Sequence, residues 1–337
     1  MTILVESSGL LSSLQDLGRP GYQHLGVGPG GAMDDLSHRL VSLLVGNPPE
    51  LPSLEITLVG PVLLFEEDAL VALGGADLSA EADGLPVPLW RPVMVRAGAR
   101  LRFGKPLEGC RSYLAVAGGF KVPPVLGGSG THLAAGFGGF HGRALRPGDR
   151  LAAAPPPPEL YPGLQRLFAS ETRPIVSLGW FVPWFREQDC RRPTELGFIP
   201  GPQWLLLRPE HRGPFLDGTY RVASESDRMG LRLRGPRGQA PTLERKVDLV
   251  SAGVTAGTLQ LPPDGVPILL MADRQTTGGY PRLGEVAGVD LCRAAQLRPG
   301  EPVRFRPATV DEAQDRWLRR EEWLRGLAEQ VAERMLK

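Results

Sequence analysis

The sequence predicts a mainly β protein with some α, built as two β domains of the barrel or sandwich kind and closed by a C-terminal helix. Three observations predict it. Short apolar runs recur from Leu54 to Leu151, separated by Gly, Pro and Asp, with no long helical pattern between them. A second series of short strands begins near Phe198 and echoes the first. Gly60-Pro61 before an apolar run returns as Gly201-Pro202, and Leu145-Arg146-Pro147-Gly148-Asp149 returns as Leu297-Arg298-Pro299-Gly300-Glu301. Beyond Thr309 the spacing turns helical. Val310, Ala313, Trp317, Leu324, Leu327, Val331 and Met335 recur at threes, fours and sevens among Glu and Arg, so an apolar stripe is expected along this helix.

Taken in order, Ile3-Leu4-Val5 reads as a first strand and Gln15 to Gly21 as a polar, turn-rich loop. Gly26-Val27-Gly28-Pro29-Gly30-Gly31 formally fits G-x-G-x-x-G. That fingerprint must follow a buried strand, and Gly21-Tyr22-Gln23-His24 is none, so a dinucleotide site is set aside. A glycine loop before a helix still suits an anion or carboxylate. The helix is marked by Met33, Leu36, Leu40, Leu43 and Leu44 and stopped by Gly46-Asn47-Pro48. Strands are then expected at 54–59, 62–65, 70–73, 92–95, 101–103 and 113–116. Pro155 to Pro158 is a stiff spacer and the expected boundary. Ile175 to Phe185, with Trp180 and Trp184, reads as a core strand pair or an interface patch. The divisions are residues 1–154, a linker and aromatic insertion at 155–195, a second β domain at 196–308, and the helix at 309–337.

Composition narrows the classes. The 337 residues suffice for two domains, and 42% apolar with 22% charged residues is ordinary for a globular chain. The net charge of +1 gives no general attraction to nucleic acid or an anionic membrane. Cys110, Cys190 and Cys292 are odd in number and far apart, which fits a reducing compartment. With no leader pattern and no apolar run long enough to span a bilayer, a cytoplasmic setting is expected.

Several chemistries have no sequence support. There is no P-loop, so ATP binding by this chain alone is not expected. The five histidines make no H-x-H or H-E-x-x-H, and with scattered cysteines they give no metal signature. Ser129 misses the G-x-S-x-G register because Thr131 stands where the last Gly should be. No Met-Lys-Met sequence is present to carry biotin.

The densest polar stretch is Ile268-Leu269-Leu270-Met271-Ala272-Asp273-Arg274-Gln275-Thr276-Thr277-Gly278-Gly279-Tyr280-Pro281. A short buried strand leads into a run of donors and acceptors, and paired glycines allow close backbone approach. Asp273, Arg274, Gln275, Thr276 and Tyr280 are expected to line one concave site with Asp227, Arg228 and Gln260. The alternative is that both Asp-Arg dipeptides form structural ion pairs.

These strings resemble one family. Gln15-Asp16-Leu17-Gly18-Arg19, Gly31-Ala32-Met33-Asp34, Gly46-Asn47, Leu54-Glu55-Ile56-Thr57 and Tyr113 to Gly119 occur in order. Gly201-Pro202-Gln203, Ser226 to Gly230, Gly257 to Pro262 and the 268–281 stretch follow. Together they resemble the KipA family, also called allophanate hydrolase subunit 2 or the biotin-dependent carboxyltransferase-like family, over residues 1–308. The resemblance implies cyclophilin-like β-barrel domains. It implies a non-ATPase subunit of an ATP-dependent 5-oxoprolinase, with a KipI-like protein (PxpB) and a LamB/YcsF-type protein (PxpA) as partners. ATP would be used by the assembled complex, and no cofactor is held by this chain alone. Two other roles stay open: a regulatory protein that binds a KipI-type kinase inhibitor, and a carboxyltransferase component of a urea carboxylase-like system.

On the oxoprolinase reading, Asp273 accepts a hydrogen bond or a proton from the lactam. Arg274 or Arg228 holds the substrate carboxylate. Gln260, Gln275, Thr276 and Thr277 orient it. Gln15, Asp16 and Arg19 form a second polar loop singled out by the resemblance. One departure stands out: the family's Gly-Ser-Arg/Lys-Ser-Thr is Gly127-Gly128-Ser129-Gly130-Thr131 here, which removes a cation and a hydroxyl.

Overall fold

A computed structural model describes residues 1–157, 159–183, 193–236, 240–245 and 249–336. Trp184, Phe185, Cys190 and the last proline of the tetraproline run lie outside the described residues. The chain forms two compact units. One comprises Met1–Arg19, Gly30–Phe185 and Leu324–Lys337; the other comprises Pro20–Pro29 and Arg186–Trp323.

In the first unit, alternating apolar residues place strands in two six-stranded sheets. One runs Arg150–Ala152, Thr2–Ser7, Val62–Phe65, Arg100–Arg102, Glu81–Ala82, Leu85–Pro86. The other runs Ile175–Ser177, Pro92–Val95, Ala69–Asp77, Glu108–Val116, Ser53–Thr57, Leu11–Gln15. Ile3, Val5, Leu63 and Phe65 from the first meet Leu54, Ile56, Val71, Leu73 and Leu114 from the second in one core. The strands expected at 62–65 and 92–95 have those same bounds. Leu11–Gln15 is a strand that the sequence pattern does not announce. Its Ser12, Ser13 and Gln15 are polar yet buried, so no alternation marks it. Ile175–Ser177 is a core strand, paired with Pro92–Val95.

The second unit is a closed barrel of seven strands in the order Thr194–Pro200, Arg282–Val286, Thr258–Gln260, Ile268–Leu270, Gly230–Arg234, Tyr220–Val222, Pro302–Pro307. Pro302–Pro307 closes it by pairing in parallel with Thr194–Pro200. Phe198, Phe215, Tyr220 and Phe305 fill its interior with rings 5.3–5.7 Å apart. Gly284 has to be glycine, because a Cβ there would collide with the Phe198 ring.

The C-terminal helix spans Val310–Met335. Thr309 opens it with a reciprocal cap: Glu312 N–H donates to Thr309 Oγ1 at 3.2 Å and Thr309 N–H to Glu312 Oε2 at 2.9 Å. The expected apolar stripe holds only for its second half. Leu324, Val331 and Met335 are buried, whereas Val310 and Trp317 are 52% and 47% exposed. The first half is anchored by charge instead: Arg316 forms a bidentate pair with the buried Asp290 carboxylate. Among the described residues no helix is long and apolar enough to cross a membrane.

Candidate functional site

The 268–281 stretch lies on the barrel. Ile268–Leu270 is a barrel strand, and the chain then leaves the ladder through a turn and returns as Thr277–Gly278, paired with Ala252–Gly253. The register puts Thr258 opposite Glu285 and Gln260 opposite Arg282. Thr258 and Glu285 therefore share one face of the ladder and Leu259 and Gly284 the other, with a register shift just before Gln260.

Arg228 and Asp273, 45 positions apart, meet in a bidentate pair of 2.8 and 2.9 Å. Both are buried, at 4% and 8% exposure. A backbone bond from Asp273 N–H to the Arg228 carbonyl, 2.9 Å, locks the two segments further. The pairing is thus between the two Asp-Arg dipeptides and not within either. Asp227 turns away to its own loop, where Oδ1 accepts from the N–H groups of Met229 and Gly230 at 2.8 and 3.2 Å. It is a turn former.

Arg274 behaves differently. Its Nη1 donates weakly to the carbonyls of Met271 and Ala272, at 3.3 and 3.5 Å. Its Nε is buried and has no hydrogen-bond partner among the described residues. Burial weakens its hold on its proton, and the nearby Glu285 carboxylate opposes this. Glu285 is the residue that sequence reasoning misses. Burial pushes its carboxyl up, while the hydroxyls of Thr258 and Thr255, at 2.9 and 3.1 Å, and the charges of Arg282 and Arg274 pull it down. No local motif marks Glu285; the only available signal is its place opposite Thr258, which requires the register.

Gln275 donates to Gln260 Oε1 at 3.3 Å, and both carboxamides converge on Gly278, where a Cβ would collide with Gln260 Nε2. Thr276 contributes its carbonyl to Val254 N–H. Thr277 is exposed, with its backbone in the short ladder. Tyr280, 47% exposed, lines a cavity of about 490 Å³ with Arg245, Thr242, Leu243, Leu261 and four prolines. That volume falls in the range of small-molecule sites. The stretch therefore divides into a locked pair (Arg228, Asp273), a polar cluster (Arg274, Gln275, Gln260, Glu285) and a cavity wall (Tyr280).

Gln15, Asp16 and Arg19 sit in the first unit and form a clamp. Gln15 Nε2 donates to the Thr131 carbonyl at 3.2 Å, Asp16 Oδ2 accepts from Ser129 N–H, and Arg19 donates to the carbonyls of Val125 and Gly130. All three are buried and hold residues 125–131 in place. Gly130 faces this clamp so closely that a Cβ would stand 2.7 Å from Asp16 Oδ1. A second network, also missed by sequence reasoning, lies nearby: Glu55 Oε2 accepts from Tyr113 Oη and Met33 N–H, each at 2.8 Å. No cluster of metal-ligating side chains occurs among the described residues.

A closed barrel, a two-sheet unit and this loop arrangement define a class. The carboxyltransferase domain family, subdomains A and B, matches residues 25–307, and the chain belongs to it. Within the family, the C subunit of the 5-oxoprolinase of Escherichia coli (strain K12) is 36% identical over 308 residues, spanning 91% of each chain. Its counterpart in the 5-oxoprolinase of Haemophilus influenzae is 33% identical over 90% of each. Among solved structures, the K. lactis urea amidolyase matches with a TM-score of 0.83 at 28% identity, covering 96% of this chain and 20% of that one.

Proposed function

We propose that this chain is the non-ATPase C subunit of an ATP-dependent 5-oxoprolinase, opening the 5-oxoproline lactam to glutamate together with partner subunits. The observation that carries the reading is the 36% identity to a 5-oxoprolinase C subunit across 91% of both chains. A KipI-like protein and a LamB/YcsF-type protein complete the assembly, and ATP is consumed by the complex.

The geometry suits a revised division of labour. Asp273 is spent on Arg228, so it fixes the loop and does not take the lactam proton. Arg274 has no ion-pair partner among the described residues, which leaves it able to hold the substrate carboxylate. Glu285, with its carboxyl pushed toward neutrality, is the group suited to exchange a proton with the ring nitrogen. Opening an unstrained amide also requires activation of its carbonyl, and phosphorylation of the oxygen before attack by water is the step for which ATP is needed.

The test is reconstitution. The three proteins together are expected to convert L-5-oxoproline to glutamate with ATP consumption, and omission of this chain is expected to abolish turnover. Turnover that persists without it overturns the proposal. In the active complex, Arg274→Gln is expected to lower kcat/KM by about 10-fold or more, as loss of a charged hydrogen bond does. A second reading, a carboxyltransferase component served by a biotin carrier on another chain, draws on the urea amidolyase match. Carboxyl transfer to urea from carboxybiotin by this chain and its partner, with no turnover of 5-oxoproline, would decide for it.

A further inference from the structure

The first unit contains a cavity of about 280 Å³ that the clamp and the barrel stretch leave unexplained. Its walls come from Lys121 to Val125 and from the loop Gly136 to Gly142. Lys121 and His141 both line it; neither side chain makes a hydrogen bond among the described residues, and the His141 ring lies edge-on to Phe140 at 4.5 Å within electrostatic reach of Asp149. No carboxylate is among the lining residues. Val122, Val125, Phe137 and Phe140 supply apolar surface.

The walls are fixed from behind. Gly142 N–H donates to the Gly138 carbonyl at 2.8 Å and Gly139 N–H to the Ser129 carbonyl at 3.0 Å. His141 itself sits at φ +56°, a left-handed conformation that this loop must hold open against its cost for a non-glycine residue. Arg19 lies 4.9 Å from the Phe137 ring centroid and Arg143 5.6 Å from that of Phe140. Arg143 is matched by Asp149 through a bidentate pair of 2.7 and 2.8 Å, so it is committed elsewhere. What remains at the cavity is the Lys121 ammonium and the His141 ring, with Val122, Val125, Phe137 and Phe140 as its apolar wall.

Such a lining selects by charge and by polarity. A cation meets repulsion, and a neutral molecule gains only apolar contact. A compact oxyanion such as phosphate would turn oxygens toward Val122, Phe137 and Phe140 and lose hydration there. An organic carboxylate satisfies both halves, with its anionic end on the basic groups and its carbon skeleton on the rings.

We propose that this cavity is a binding site for a small organic carboxylate, the carboxylate held by Lys121 and His141 and the carbon skeleton resting on Phe137 and Phe140. The proposal does not depend on the oxoprolinase reading, since it concerns the chain on its own.

The experiment is an NMR titration of the full chain, following the ring Cε1–H resonance of His141, assigned by its loss in His141→Gln. The probes are L-5-oxoproline, cyclopentanecarboxylate, L-5-oxoprolinamide and inorganic phosphate. At least one of the two carboxylates is expected to shift the resonance saturably, and the amide is expected not to. Lys121→Gln, a change at an exposed side chain, is expected to weaken that binding about 10-fold or more. Three results would overturn the site: no saturable shift with either carboxylate up to about 10 mM, an equal shift with the amide, or an effect of phosphate alone. An unchanged affinity in Lys121→Gln removes Lys121 and with it the proposed charge pairing.

Discussion

Two buried arginines in this protein carry their charge in opposite ways. Arg228 meets a carboxylate, Asp273, with both ends of its fork, and the pair joins two loops of the barrel unit. Arg19, in the sheet unit, donates to the backbone carbonyls of Val125 and Gly130 and so positions a loop 106 and 111 residues away. The first arrangement is an ion pair buried on both sides, and breaking it by removing one member is strongly destabilising. The second ties a distant loop down through its backbone carbonyls, and its loss frees that loop while the core beneath remains. An Asp-Arg sequence close to glycines therefore does not by itself indicate chemistry; its meaning depends on which partner the fold brings to it.

The largest effect is expected at the charge pair. Asp273→Asn keeps the side-chain shape and removes the carboxylate that two nitrogens of the Arg228 fork reach, at a cost of about 3–5 kcal/mol. Chemical denaturation of the isolated chain should register that loss before any activity is assayed. A variant of unchanged stability that nonetheless abolished turnover in the complex would return Asp273 to the role of proton acceptor.

Arg19→Ala should cost less, about 2 kcal/mol, the scale of hydrogen bonds from a charged donor. The distinguishing feature is locality. Hydrogen exchange should accelerate at the amides of residues 125–131 while the barrel unit keeps its protection. Uniform acceleration across both units would mean that Arg19 acts as a global stabiliser like Arg228.

These contrasts mark how far the sequence could be read. Strands whose apolar residues alternate or run together, such as Val62–Phe65 and Pro92–Val95, were legible because burial on a sheet face leaves a period. Leu11–Gln15 was not, since Ser12, Ser13 and Gln15 are buried alongside Leu14 and break the apolar alternation, Ser12 bonding the nearby Ser8 carbonyl and Gln15 the distant Thr131 carbonyl. The second half of the C-terminal helix was legible and the first was not, because Arg316 on Asp290 anchors it through charge, which carries no hydrophobic period. In the candidate site, the polar residues of 273–280 could be named from density alone. The partner of Asp273 could not, nor could Glu285, because both depend on a strand register set across the barrel.

The smallest expected effect on stability is also the one that tests Glu285, and it is read from a slope. Burial raises the Glu285 carboxyl above its ordinary value in the folded state. The folded protein therefore binds this proton more tightly than the unfolded chain. The corresponding stability is fully present below the unfolded carboxyl range, near pH 4.5, and is lost as pH rises through the folded value. Glu285→Gln removes that titration and keeps the hydrogen-bonding shape toward Thr255 and Thr258. The variant should consequently gain on the parent as pH rises from about 4 to 7, measured as the difference between their denaturation midpoints. Turnover of the reconstituted complex should fall over the same range by about 100-fold, as removal of an acid–base group typically does. A flat difference between the two proteins across this range would show that Glu285 titrates as it does in the unfolded chain. Its place beside Arg274 would then be structural, and the proton exchange at the lactam nitrogen would have to be assigned to a group on a partner protein.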